Sequence, residues 1–205
     1  MPKLSITAVP QPMPPTPALT PWQRHKARWD RCRLCQLCQS RKSVVLARGE
    51  IPAEVIFVGE APGESEDVVG LPFVGPAGKL LDHITARAWD MLGRVPRCLY
   101  TNLVACIPRE GDDRTAKAGE PPTWAMEKCA PRLAELAGIA KPKFIIAVGA
   151  LAQKHLGNAI DASSERWTIG GIVHPAAVLR ADAVKRETMI RRAVAQLASL
   201  IGRGK

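Results

Sequence analysis

Four short apolar runs punctuate this chain: Glu54–Gly59 (EVIFVG), Cys98–Ala105 (CLYTNLVA), Phe144–Gly149 (FIIAVG) and Gly170–Val173 (GGIV). Their length and their β-branched and aromatic content predict buried strands. Helical spacing fills the intervals. Ala77–Leu92 carries Leu80, Leu81, Ile84, Ala88 and Leu92 on one face. Thr123 is placed to cap a helix through Leu136, a short helix runs to Leu156, and Asp182–Ile201 is amphipathic. Strands alternating with helices imply a single three-layer α/β/α domain around a central, mostly parallel four-stranded sheet. Sites in such sheets gather at the C-terminal strand ends. The unusual residues fall there: Gly59-Glu60-Ala61-Pro62-Gly63 after the first run, Asn102 within the second, and His174-Pro175 after the last.

A length of 205 residues, 46% of them hydrophobic, suits one globular domain. The boundary is set at Trp22: residues 1–21 hold seven prolines (Pro2, Pro10, Pro12, Pro14, Pro15, Pro17 and Pro21) and are expected to form a disordered or polyproline tail, with the domain over 22–205. Twenty-nine lysines and arginines against 19 acidic residues give a net charge of +10, which favours a polyanionic partner such as nucleic acid. Lys42, Arg41, Arg48 and Arg114 are phosphate candidates. No apolar run is long enough to span a bilayer, and prolines interrupt the N-terminus, so the expectation is a cytoplasmic protein with no membrane partner; no leftover apolar helix face is evident, which predicts a monomer.

Six cysteines in that compartment are better metal ligands than disulfide partners. They run Cys32-x2-Cys35-x2-Cys38, then Cys98, Cys106 and Cys129. A close pair joined by two distant thiolates suits tetrahedral zinc or a [4Fe–4S] cluster, and spacing does not choose between them. Cys98 opens a strand and reads as core. Among the histidines, His25 and His83 read as surface residues, and His155 lies in a short helix.

Motifs narrow the field. GEAPGESED at 59–67, LPFVGPAGKLL at 71–81, TNLVAC at 101–106 and HPAAVLR at 174–180 stand in one order, and together they closely resemble the family 4 uracil-DNA glycosylases, the iron–sulfur branch of that superfamily. The resemblance covers about residues 29 to 200. It implies a [4Fe–4S] cluster held by Cys32, Cys35, Cys106 and Cys129, with Leu37 matching the family's leucine and Cys38 outside the ligand set. It implies a structural cluster and no redox step.

It further implies an enzyme of base excision repair that extrudes uracil from single- or double-stranded DNA and hydrolyses its N-glycosidic bond, leaving an abasic site. Gly59, Glu60, Ala61, Phe73, Asn102 and His174 would bind the base. Asn102 would accept from N3–H and donate to O4, a pattern that cytosine reverses. Phe73 would stack under the ring. His174 would donate to O2 as negative charge develops there, helped by backbone amides near Gly59–Gly63. Glu60 would orient water, since Ala61 stands where the best-known branch has an aspartate. Glu66 and Asp67 would hold the loop or stabilise the sugar cation. On the DNA side, Pro175 opens a helix, Val178 and Leu179 would wedge into the vacated gap, and Arg180 would bind phosphate.

The chain departs from the family at CIPREGDDR after Cys106, in a longer interval to Cys129, and in a shorter one between Leu156 and His174. It lacks the insertion of the branch that traps uracil covalently. Competing readings are a catalytically silent iron–sulfur DNA-binding module of the same fold and a zinc-stabilised nucleic-acid adaptor. Intact Glu60, Phe73, Asn102 and His174 argue for the enzyme.

Overall fold

The structure is a computed structural model that describes residues 18–109, 113–160 and 167–203. The proline-rich lead lies, up to residue 17, outside the described residues. The first helix, α1 (Pro21–Trp29), starts one residue inside the expected tail. Pro21 occupies the first helical position, where its missing N–H costs nothing. Thr20 and Gln23 close a capping box, with Gln23 N–H donating to Thr20 Oγ1 at 3.2 Å and Thr20 N–H to Gln23 Oε1 at 2.8 Å.

The elements then run α2 (Leu37–Ser40), β1 (Arg48–Gly49), β2 (Val55–Gly59), α3 (Glu64–Val69), α4 (Pro76–Leu92), β3 (Cys98–Asn102), α5 (Thr123–Ala140), β4 (Phe144–Val148), α6 (Ala150–Ala159), β5 (Thr168–Ile172), α7 (Pro175–Leu179) and α8 (Ala183–Gly202). The sheet has five strands in the order β1-β3-β2-β4-β5, parallel except for β1 against β3. The four expected strands are all present. The fifth, β1, is a two-residue edge strand, too short to leave a period in the sequence. β3 stops at Asn102, where the chain turns so that Leu103 N–H meets Gly59 O at 2.8 Å. Thr123 is the first residue of α5 and not its cap, a place taken by Pro122.

Alternating side chains of the strands feed two cores. Ile56, Val58, Leu99, Ile145 and Ala147 pack under α5 and α6. Val55, Phe57, Tyr100, Phe144 and Ile146 pack under α4, α7 and α8. This is the expected three-layer α/β/α arrangement. Chain connections leave β2 toward β3 on one side and leave β4 toward β5 on the other. The C-terminal ends of β2 and β4 therefore flank a topological switch point, where open α/β sheets hold their ligands. Among the described residues no helix is long and apolar enough to cross a membrane.

Candidate active site and cysteine centre

Two glycines at the switch point bring the site residues together. Gly59 ends β2 and is register partner to Asn102 at the end of β3. A Cβ at Gly59 would land on Asn102 Oδ1 and lie 2.6 Å from Phe73 Cζ. The amide and the aromatic ring thus share one small space that only a glycine leaves open. Both side chains are nearly buried, Asn102 at 3% and Phe73 at 7% exposure. Gly149 follows β4 with φ +104, a backbone that L side chains rarely adopt. A Cβ there would stand 2.5 Å from Glu60 Oε1 and 2.9 Å from His174 Cδ2. Glu60 and His174 therefore crowd the same side of Gly149.

Phe73 is held in an unfavourable conformation. Its φ of +56 is uncommon for a bulky residue, and strain of this kind costs roughly 1–3 kcal/mol, which must be offset elsewhere. The surroundings supply that restraint. Glu66 accepts from Val74 N–H at 2.9 Å and Gly75 N–H at 2.7 Å through one oxygen, and from Gly63 N–H at 3.1 Å through the other. Arg48 donates to Pro72 O at 2.8 Å. Tyr100 meets the Phe73 ring edge-on at 6.1 Å. Of the two roles expected for Glu66, the structure displays the loop brace. Asp67, fully buried, accepts from Lys42 and Ser43 N–H at 2.9 and 3.1 Å and ties that segment to α3.

The titrating groups are tuned by burial. His174 caps α7, and its Nδ1 accepts from Ala176 N–H at 3.1 Å. A nitrogen that accepts carries no proton, so the neutral ring bears its hydrogen on Nε2. Burial, aided by the Arg180 charge, lowers the His174 pKa and keeps the ring neutral. Burial also raises the Glu60 carboxyl, and Glu120 adds to this, while the Leu151 N–H and Arg180 oppose it. Gly63 N–H is spent on Glu66 and is not free to serve a developing anion.

Around α7, Arg180 is exposed and Leu179 half-buried. Pro175 is buried at the first helical position. Val178 is 0% exposed and belongs to the core under α4 and α8. That burial removes Val178 from any wedge, leaving Leu179 and Arg180 as the residues of this helix that reach outward. Arg48 and Arg41 are likewise engaged, Arg48 with Asp82 at 2.6 Å and Arg41 with Cys32 O at 2.6 Å. His25 corrects a second expectation: it is 0% exposed, stacked on Trp22 and paired with Glu135 Oε1 at 3.1 Å.

Cys32, Cys35, Cys106 and Cys129 line one small recess. Cys38 does not line it. Cys98 sits on the opposite face of the sheet, its thiol donating to Pro96 O at 3.3 Å and pushed up to about 12 by burial. Burial also raises the Cys35 thiol, and pushes that of Cys106 up to about 12, so metal loading there must displace protons. Among the described residues no three His, Cys, Asp or Glu side chains converge tightly enough to hold a single metal ion. Four cysteines on one recess are a donor set suited to a thiolate-bound metal centre.

Sequence reasoning passed over Gly149, whose task is set by a neighbour strand, and Arg132, a fully buried arginine that also lines the cysteine recess.

At the switch point, a buried amide, an aromatic side chain, a neutral imidazole and a carboxylate gather around two glycines at the ends of parallel strands, which defines the class as an α/β protein with a polar strand-end site. The chain belongs to the uracil-DNA glycosylase superfamily, whose pattern (Uracil DNA glycosylase superfamily) matches residues 46–198, and within it to the type-4 enzymes. It is 37% identical over 173 residues to the type-4 uracil-DNA glycosylase of Pyrobaculum aerophilum, covering 76% of this chain and 83% of that protein. Enzymes of the same designation from Archaeoglobus fulgidus and Thermotoga maritima are 33% and 32% identical, over 76% and 80% of this chain and 82% and 84% of theirs. The crystal structure of Pedobacter heparinus SMUG2 shares the fold, with a TM-score of 0.52 at 12% identity over 73% of this chain and 76% of that one.

Proposed function

We propose that this chain is a monofunctional DNA glycosylase that flips uracil out of DNA, hydrolyses its N-glycosidic bond and leaves an abasic site for base excision repair. The observation that carries the reading is the pair of glycine-centred contacts: Asn102 with Phe73 at Gly59, and Glu60 with His174 at Gly149.

The flipped base lies on Phe73, a stack worth about 1–3 kcal/mol. The Asn102 amide accepts from N3–H and donates to O4. Cytosine leaves these groups mispaired, at about 1–3 kcal/mol per group. As the C1′–N1 bond breaks, its electron pair moves onto the ring toward O2, where the Nε2–H of neutral His174 donates. Water adds to C1′ and passes a proton to the Glu60 carboxylate, a stronger base for its burial. Leu179 fills the gap left in the duplex, and Arg180 holds a phosphate. The substrate is uracil in single- or double-stranded DNA, and the protein works as a cytoplasmic monomer.

Cys32, Cys35, Cys106 and Cys129 would hold a [4Fe–4S] cluster, which when bound staples the N-terminal segment and the loop after β3 to α5. The chemistry takes no electron from it.

The test is an oligonucleotide carrying one uracil, incubated with the wild-type protein or His174→Ala and then treated with alkali. Strand cleavage at the uracil only after alkali, and at least ~100-fold slower in the variant, is the expected result. Protein with a full cluster that leaves the strand intact would sink the reading.

A further inference from the structure

Arg132 is the largest fully buried side chain and stands one turn after Cys129 on α5. Its Nη2 donates to the carbonyl oxygens of Asn102 and Leu103, at 2.5 and 3.3 Å. Its Nη1 donates to Thr101 Oγ1 at 3.1 Å and Leu46 O at 3.5 Å. Its Nε–H finds no acceptor. Among the described residues no carboxylate lies within 4.0 Å of it. A buried guanidinium without an anion is strongly unfavourable.

The missing anion has a place. Arg132 lines the recess of the four cysteines, and the other charged residues on that lining are Arg41 and Lys128, with no acidic side chain among them. Four thiolates around a [4Fe–4S] core leave a net negative centre. Three cations and no carboxylate stand around the recess, and Arg132 is the one of the three that is fully buried.

We propose that Arg132 is a positioning residue that joins two sites: its buried charge balances the thiolate-bound cluster on one side, and its fork fixes the backbone of Asn102, whose amide reads the base, on the other. The proposal rests on the reading of the chain as an iron–sulfur uracil glycosylase. The base-reading strand end is then held in place by a side chain that needs the cluster's charge, so loss of the cluster loosens the reader as well as the N-terminal segment.

Arginine and lysine separate the two tasks. Lysine keeps the charge and lacks the planar fork, whereas methionine lacks both. Holoprotein carrying Arg132→Lys or Arg132→Met is compared with the wild type in three measurements: the cluster's reduction potential, the rate at which a chelator bleaches it, and single-turnover uracil excision. Arg132→Met is expected to shift the potential negative, because an added electron loses a nearby cation, and to bleach at least tenfold faster. Arg132→Lys is expected to keep potential and bleaching near wild type. Both variants are expected to excise uracil at least tenfold more slowly and to lose discrimination against cytosine. Should Arg132→Met fail to fold, Arg132→Gln, which keeps two donors for the carbonyls without the charge, takes its place. A loaded variant without the charge whose potential and bleaching match the wild type overturns the proposal alone, as does excision by Arg132→Lys at the wild-type rate. A wild-type protein that binds no cluster, or that binds one and releases no uracil, overturns the parent reading instead.

Discussion

Gly59→Ala tests the pocket with one methyl group. The new Cβ would land on Asn102 Oδ1 and stand 2.6 Å from Phe73 Cζ. Both are ends of side chains, so the strand survives and the pocket yields. Pushing the amide aside removes a hydrogen bond pattern worth about 1–3 kcal/mol. Tilting the ring removes a stack worth about 1–3 kcal/mol. Together these predict a loss of about 2–6 kcal/mol in transition-state binding, or roughly 30-fold to 10⁴-fold in kcat/KM, at tenfold per 1.4 kcal/mol. The assay is single-turnover excision on the uracil oligonucleotide, read after alkali, beside a thermal melt that reports the fold. Gly138→Ala is the control: it lies within α5, where a Cβ meets nothing within 4 Å, and should melt slightly higher and excise normally. A Gly59→Ala protein that melts like the wild type and excises within twofold of it would show that ring and amide do not share the base's space.

Three other perturbations reach different parts of the site. Excision should stay level from neutral to alkaline pH, because His174 is held below 6.5 and is already neutral there, and should fall on the acid side as it protonates and as Glu60, raised above 4.5, loses its charge; a Glu60→Gln profile that keeps the whole acid limb would remove Glu60 from the chemistry. Glu66→Ala strands three backbone N–H groups and should cost about 2–3 kcal/mol by chemical denaturation, with slower excision as the Phe73 loop loosens; a stability change under 0.5 kcal/mol would mean that the brace is dispensable. Cys106→Ser should lower iron per chain and the broad absorption near ~400 nm, whereas Cys38→Ser should leave both intact; the reverse result would assign the fourth ligand to Cys38.

The strands β2 and β4 were legible because both faces are buried, so their β-branched runs are continuous and need no partner to be recognised. The edge strand β1 was not, since two residues carry no period. His25 shows how a misleading local environment arises. Its neighbours Gln23, Arg24, Lys26 and Arg28 are polar, and only the Trp22–His25–Trp29 spacing hints at a stripe; the stripe turns inward against α5, where the half-buried Glu135 pairs with His25 and Trp29. Val178 shares an apolar helical face with residues that reach outward, and which way that face turns depends on α4 and α8.

Asn102, Phe73, Glu60 and His174 sit inside recognisable motifs, and each has a chemistry that its residue type announces. Gly149 and Arg132 announce nothing. Gly149 matters because sheet order sets the end of β4 beside that of β2, so that Glu60 and His174 meet over it. Arg132, on a helix where an arginine ordinarily faces water, is buried because α5 packs it against the end of β3, where Thr101, Asn102 and Leu103 accept from its fork. The strained φ of Phe73 belongs to this second group, for Glu66, Arg48 and Tyr100 all bear on its loop. Side chains that touch the base can be recognised one at a time; those that hold them in place are defined by pairs of elements, and they come into view only when the elements are assembled.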